Sequence, residues 1–402
     1  MSRRRVITLF LIVFVNFLGA TIVIPTLPLY AQRHFDASPQ IISLLLASFF
    51  VAQFIAAPFL GRLSDRIGRL PVLLISQVGS FISFLILGTA GSLSMLFAGR
   101  ILDGITGGNI IVAQAYITDI TPREKRTQGL GIIFAAFGLG YILGPAVGGV
   151  VAAMLDDRAP FFVGAAVSLF TVIVTQVALD ESLTAEVRRA RAAEGRARLT
   201  LSDITSSTPL MIILLIGFCA QFSIAILQAT IALFGEEVLF SEYSAQAANL
   251  GVGLMLTGIG VGQFVTQLFL LRRLVVRFGE TRLVVVGALL RSLGMLSLTV
   301  FTSPLLVGPL SLVTIAIASG IMMPSLQALA TTSVSERFSG SVLGVYGAST
   351  SLGVIIGTAL GGQLFGIAPT LPYFVAGTML LFTVLPAIAL MRRTNSLAVQ
   401  TA

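Results

Sequence analysis

Apolar runs long enough to cross a bilayer follow one another along the whole chain, separated by short polar gaps. They fall at about 6–30, 40–61, 70–90, 93–118, 128–154, 160–179, 209–234, 246–271, 282–301, 305–331, 340–366 and 370–391. A membrane-crossing helix needs roughly 20 apolar residues, so the pattern predicts twelve spans. The longest polar segment, 181–208, contains "AEVRRARAAEGRARL" and reads as a cytoplasmic linker. It divides the chain into two six-span bundles, residues 1–180 and 209–402. The first run is long enough to span and no A-x-A-like site follows it, so a cleavable signal peptide is not expected.

The two halves repeat. Gly107, Gln114, Ala115, Gly131, Gly140, Gly144, Gly148 and Gly149 return 213 positions later as Gly320, Gln327, Ala328, Gly344, Gly353, Gly357, Gly361 and Gly362. At an offset of 211, "RLSDRIG" (62–68) meets "RLVVRFG" (273–279). Ordered matches at one offset are a poor fit to chance. The expected fold is an all-α membrane protein, twelve transmembrane helices in two six-helix pseudo-repeats running in the same direction. Such repeats place a substrate site between the halves near the bilayer midplane.

Composition agrees with a polytopic membrane protein: 56% hydrophobic residues, 10% charged and a mean hydropathy of +0.98, against about a quarter charged in soluble domains. The N-terminus, the gaps after even-numbered spans and the C-terminus hold 21 of the 25 Lys and Arg. By the positive-inside rule both termini are cytoplasmic, which predicts a multi-pass protein of the cytoplasmic (inner) membrane. The net charge of +8 is spread over these loops and makes no single basic face, so no nucleic-acid partner is expected. One cysteine, Cys219, and one histidine, His34, exclude a disulfide framework, a Cys/His metal cluster and a Cys-His nucleophile pair. No nucleophile–base pair, phosphate loop or nucleotide-binding domain is visible. The chain therefore reads as no enzyme, without cofactor or metal, and not driven by ATP.

The fifth span, within "GLGIIFAAFGLGYILGPAVGG" (129–149), is dense in glycine and holds a proline. Gly140, Gly144 and Gly148 are four apart and form a smooth strip on one helix face. In lipid, small residues let helix backbones approach closely, and the eleventh span repeats the strip with Gly353, Gly357 and Gly361. Pro145 has no such explanation, because its repeat partner is Thr358. Proline removes a backbone donor and bends a helix. Packing and a hinge in a conformational cycle both stay open.

"GIIFAAFGLGYILGPAVGG" also fits the fifth-helix antiporter motif G-x8-G-x3-G-P-x2-G-G (Gly131, Gly140, Gly144, Pro145, Gly148, Gly149) of twelve-span drug/proton antiporters in the major facilitator superfamily. "GRLSDRIGRLPVL" (61–73), with Gly61, Asp65, Arg66, Gly68 and Arg69, resembles that superfamily's loop motif. The likeness runs through nearly the whole chain, as in "GRILDGITGG", "AYITDIT" and "MPSLQAL", and is closest to bacterial tetracycline efflux pumps. Read physically, Gly61 permits a tight turn and Asp65 is placed to meet the positive end of a helix. The resemblance implies that this helix is the eleventh, that Arg69 pairs with Asp119, and that these contacts latch one state of the transport cycle. Topology-setting charge is the plainer alternative. Leu70 stands where the motif has its second basic residue.

A charge at the centre of a span costs roughly 2.5–3.5 kcal/mol on insertion scales, and three stand out: Arg100, Asp103 and Arg291. Arg100 and Asp103 lie three apart on the fourth span, hence on adjacent surface positions. Gly107, Ile110 and Gln114 continue that face. Asp103 reads as a proton carrier whose affinity Arg100 biases, since opposite charge favours the carboxylate and desolvation its protonated form. A static ion pair is the equal alternative. The resemblance implies that the fourth helix lines the central cavity and that its arginine belongs to proton coupling. Arg291 lies about 13 Å into the ninth span at 1.5 Å per residue. It pairs with an acid, meets an anionic group or faces a water-filled crevice; sequence assigns no partner. The tetracycline pumps carry aspartates in helices 1, 3 and 9 where Asn16, Ser83 and Arg291 stand here, so the resemblance extends to a drug exporter and not to tetracycline. The expected cavity lining is apolar with isolated amides: Asn16, Gln114, Phe137, Tyr141, the pair Gln221 and Gln228, the pair Met323 and Gln327, and Arg291. Such a lining suits amphipathic organic molecules.

The function expected is a secondary active transporter that exports lipophilic small molecules against protons by alternating access. The runner-up is a facilitator or uptake carrier for a metabolite, with Arg291 meeting an anionic substrate. A third, less favoured reading is a non-transporting sensor or scaffold, which would need neither the loop motif nor the Gly-Pro element. The partners expected are a small-molecule substrate, protons and the lipid bilayer, with the protein a monomer.

Overall fold

The computed structural model describes residues 3–107, 109–121, 126–182, 201–333 and 339–401, and the regular structure among them is all helical. Most of the linker, 183–200, lies outside the described residues, as do the loop residues 122–125 and 334–338. Helix starts follow the local chemistry. Ser38, Ser92 and Ser207 each accept a hydrogen bond from the backbone N–H three residues on, at 3.5, 3.4 and 3.5 Å, which satisfies a donor that the helix itself leaves open. Pro39 and Pro209 follow two of these caps, where a missing N–H costs nothing.

Ten described helices are long and apolar enough to cross a bilayer. The fourth and ninth predicted spans are absent from that count. The fourth is divided into Leu93–Thr106 and Asn109–Ile120, with Gly107 capping the first piece. The ninth, Glu280–Ser297, is shorter than its neighbours and carries Glu280, Arg282 and Arg291.

The packing repeats as the sequence does. The first span packs against the fifth and sixth, the third against the fourth and sixth, and the second against the fourth. In the second half the seventh packs against the eleventh and twelfth, and the ninth against the tenth and twelfth. Gly68 and Gly279, equivalent at the offset of 211, are the two described glycines with positive φ, +115° and +75°. Each joins a helix to the next through a backbone conformation that L side chains rarely adopt. Gly61, expected to make the turn, lies instead inside the helix Pro39–Ile67; the chain turns at Gly68 because the helix runs on to Ile67.

Contacts divide the chain into two compact units, residues 1–195 with 242–257, and residues 196–241 with 258–402. Within the first, the glycine strip of the fifth span (Arg126–Met154) lies against the first span. A Cβ on Gly140 would come 2.8 Å from Phe17 Cβ, and one on Gly148 would come 2.6 Å from the Ile22 carbonyl oxygen. Gly144 faces Thr21 and the Leu18 carbonyl, and Thr21 Oγ1 donates to the Gly140 carbonyl at 2.9 Å. Gly149 faces another way. A Cβ there would meet the Asn249 carbonyl at 2.7 Å and Gly253 Cα at 3.1 Å. Pro145 sits in this helix with its carbonyl toward Gly253. In the second unit Gly353 and Gly357 meet the backbone of Phe218 and Phe222 on the seventh span.

Gly148→Val therefore drives two methyls into the first span and is expected to cost about 1–3 kcal/mol, the penalty for overpacking a filled interface. Gly61→Ala meets nothing within 4 Å and, inside the helix Pro39–Ile67, should raise stability by about 0.5–1 kcal/mol. Thermal unfolding in detergent checks both: the midpoint falls for the first variant and rises for the second.

Candidate functional site

Polar residues gather at several places in the first unit. The deepest is on the fourth span. Arg100 and Asp103 share one face of Leu93–Thr106 and are 5% and 4% exposed. Ser80 Oγ on the third span donates to Asp103 Oδ1 at 3.0 Å. Arg100 Nη1 donates to Oδ2 at 3.3 Å. The guanidinium lies over the Phe49 ring, 4.3 Å from its centroid, a favourable place for a cation that water does not reach. Both carboxylate oxygens thus hold a donor, one neutral and one charged. The ion pair lies within the fourth span, and the Ser80 hydrogen bond ties the same carboxylate to the third.

The expected polar face does not run unbroken to Gln114. The helix is interrupted at Gly107, whose carbonyl accepts from Gln53 Nε2 at 3.0 Å. Gln114 is half-buried beyond the break.

The loop motif forms a second network. Arg69 is 3% exposed and donates through Nε to Asp119 Oδ2 at 3.1 Å, through Nη1 to Ser64 Oγ at 2.5 Å and through Nη2 to Asp65 Oδ1 at 2.6 Å. The structure thus brings together Asp65, Arg69 and Asp119. Glu181, at the end of the sixth span, accepts from the backbone N–H groups of Arg69 and Leu70 at 2.9 and 3.1 Å. A carboxylate there satisfies the open donors and positive end of the third helix. Arg66 is exposed. The start of the eleventh span, where Asp65 was expected to reach, borders residues 334–338, which lie outside the described residues.

A third network was not foreseen. Arg33 Nη1, at the end of the first span, donates to Asp157 Oδ1 at 3.0 Å and to Asn249 Oδ1 at 3.1 Å, and Asn249 Nδ2 donates to Asp157 at 3.1 Å. Asn249 and the close Gly149–Gly253 approach fix the first part of the eighth span against the fifth and sixth.

The expected cavity residues fall in both units. Asn16 and Phe137 line one small cavity with Phe17 and Gln77, and the Phe17 and Phe137 rings stand 4.5 Å apart. Tyr141 is half-buried one turn along from Phe137. In the second unit Gln221, Gln228 and Met323 are half-buried and Gln327 is exposed. Arg291 is 1% exposed; its Nη1 donates to the Ala220 carbonyl at 2.9 Å and its Nη2 to Ser319 Oγ at 2.6 Å. It is thus held by the seventh and tenth spans. Sequence reasoning missed Gln77, Ser80, Glu181 and Asn249. Gln77 and Ser80 carried a faint signal, as polar residues on the stripe Leu73, Gln77, Ser80, Phe84 of the third span. Glu181 and Asn249 carried none.

The family model of the Major Facilitator Superfamily matches residues 9–248 and 226–401. A tetracycline resistance protein, class E, of Escherichia coli is 33% identical over 88% of this chain and 86% of its own. Multidrug resistance protein 2 of Bacillus subtilis (strain 168) is 29% identical over 92% of this chain and 90% of its own. Among solved structures, the human organic anion transporter MFSD10 superposes with a TM-score of 0.70 at 23% identity, covering 96% of this chain and 99% of that one. The nucleoside transporter NupG superposes with a TM-score of 0.76 at 14% identity, covering 98% and 99%. These two likenesses concern the fold.

Arg69 and Asp119 are 3% and 5% exposed in their side chains. Arg69→Met takes the Arg69 guanidinium away from the buried Asp119 carboxylate, at an expected cost of about 3–5 kcal/mol. Adding Asp119→Asn removes the charge that Arg69 answered and should recover a large part of the loss. Thermal unfolding of the two variants beside the parent protein measures this; a double variant no more stable than Arg69→Met would contradict it.

Proposed function

The chain belongs to the Major Facilitator Superfamily, and from that premise we propose that it exports lipophilic small molecules in exchange for protons, by alternating access. Its place is the cytoplasmic membrane, with both termini in the cytoplasm, as the distribution of Lys and Arg among the loops supports. The observation that carries the reading is the buried cluster of Asp103, Arg100 and Ser80. A carboxylate so deep in an apolar helix is costly and marks a functional site by default. Here it joins the third and fourth spans beside a break in the fourth, so its protonation acts on the hold between helices that have to move.

Proton uptake neutralises Asp103 and frees Arg100 from its ion pair. Arg100 stays over Phe49 while Ser80 and the protonated carboxyl rearrange. Loss of the proton restores the pair. Export fits the names of the relatives, resistance proteins for tetracycline and for multiple drugs. Tetracycline itself is not proposed as substrate. Asn16, Ser83 and Arg291 stand where the resemblance puts acids, and Ser83 Oγ is engaged with the Gly99 carbonyl at 2.7 Å. Apolar walls with single amides favour organic molecules that carry little charge. Arg69 with Asp65 and Asp119 on one side, and Arg33 with Asp157 and Asn249 elsewhere in the unit, would serve as latches that alternately form and break.

Proteoliposomes with a trapped pH dye test the proposal, challenged with lipophilic cations, neutral drugs and organic anions. Substrate-triggered proton flux is expected in the parent protein and is expected to vanish in Asp103→Asn. Substrate movement without protons, equal in both proteins, would instead favour an uncoupled carrier.

A further inference from the structure

The eighth span ends in a short basic segment, Leu271–Phe278, in which no residue is buried. Its three arginines, Arg272, Arg273 and Arg277, are exposed. Among the described residues no acid lies within ion-pair distance of any of them. Arg277 lies 5.5 Å from the centroid of the neighbouring Phe278 ring. Arg273 and Arg277 are four apart, hence neighbours on the helix surface, where like charges are unfavourable. An anion placed between them reverses that sign.

The repeat shows what the segment lacks. At the offset of 211, Arg273 stands for Arg62, Val276 for Asp65, Arg277 for Arg66 and Arg272 for Gly61. In the first half Asp65 meets Arg69, and Glu181 caps the helix that follows. The second half has a valine at the acid's position and one arginine more. Val276 is 84% exposed, so the described residues leave that face open. Residues 272–282 hold four arginines, with Arg282, against the single acid Glu280.

The segment continues directly from a span, since Ala245–Phe278 is one stretch long and apolar enough to cross a bilayer. Leu268 and Phe269, just before it, are 58% and 61% exposed. From Phe269 to Arg273 the surface passes from apolar to basic within about 6 Å, at 1.5 Å per residue. A phospholipid has that same order, acyl chain and then phosphate. Guanidinium groups bind phosphate through paired hydrogen bonds, and basic clusters immediately beyond a span attract acidic lipids. A zwitterionic headgroup would bring its own cation among the arginines.

We propose that the end of the eighth span is a binding site for a phospholipid of net negative headgroup, with Arg272, Arg273 and Arg277 around the phosphate and Phe269 beside the acyl chain. The leaflet is the one that the topology proposed above makes cytoplasmic. The first half answers the equivalent turn with its own carboxylates; the second half draws the answering charge from the bilayer. The site goes beyond the export reading and does not depend on what is carried.

The chain contains no tryptophan, so Phe269→Trp places a single fluorophore beside the proposed acyl chain. Lipids brominated in the acyl chain quench it on contact. The variant would be reconstituted in mixtures of phosphatidylglycerol and phosphatidylcholine with one or the other brominated, and the two quenching strengths give the relative affinity. Phosphatidylglycerol is expected to be preferred about fivefold, the attraction that one basic residue gains beside an anionic surface. Adding Arg272→Gln, Arg273→Gln and Arg277→Gln should bring the two lipids to parity. Arg272→Lys, Arg273→Lys and Arg277→Lys keep the charge and should keep most of the preference. Phe382→Trp, on the exposed face of the twelfth span, should show none. Parity in Phe269→Trp itself overturns the inference, as does a preference undiminished by the glutamines or equally strong at Phe382→Trp.

Discussion

A charge inside the hydrocarbon layer has to be answered by its neighbours, because water does not compete for it there. The described charges Arg100, Asp103 and Arg291 obey this constraint, with answering groups from adjacent helices and, for Arg100 and Asp103, from their own. Asp103 takes Ser80 from the third span and Arg100 from its own. Arg291 takes a carbonyl from the seventh span and a hydroxyl from the tenth. Each charge thereby becomes a tie between helices, and altering the charge alters the tie. In the function proposed above, this is the physical link between binding a proton and moving a bundle.

Short polar ties need helices that come close, and glycine makes that possible. Beside the Ser80–Asp103 bond, a Cβ on Gly79 would strike Thr106, and one on Gly99 would press within 3.0 Å of Leu87. The third and fourth spans therefore sit near enough for Ser80 to reach Asp103 and for Ser83 to reach the Gly99 carbonyl. The same device works along the fifth and eleventh spans, where glycines receive the backbones of the first and seventh. Packing in lipid rests on such contact rather than on apolar burial. A side chain added at one of these positions displaces a whole helix.

Much of this was legible in the sequence because it repeats or has a period. The apolar runs, the four-residue glycine strip and the equivalence of Gly68 with Gly279 are properties of local sequence, and the fold keeps them. The resemblance paired Arg69 with Asp119, which do meet; it sent Asp65 to the eleventh helix, and Asp65 is found on Arg69 as well. Other features depend on the packing of distant helices. Glu181 lies 112 residues from Arg69, and nothing near it in the chain marks it as a cap. Gln77 looks like one polar interruption in an apolar span until the cavity beside it is seen. The turn at Gly68 instead of Gly61 follows from a helix that runs past the membrane-sized apolar stretch. The break at Gly107 escaped notice because the fourth span is apolar on both sides of it.

Proton release on ligand binding tests the central role of Asp103 most directly. The purified protein would be held in detergent at low buffer strength and titrated with a transported compound while the pH is recorded. The account predicts that ligand expels protons from the parent protein and none from Asp103→Asn, with the variant still binding the ligand. Equal proton release from both proteins would contradict it, and would place the exchangeable proton on another group.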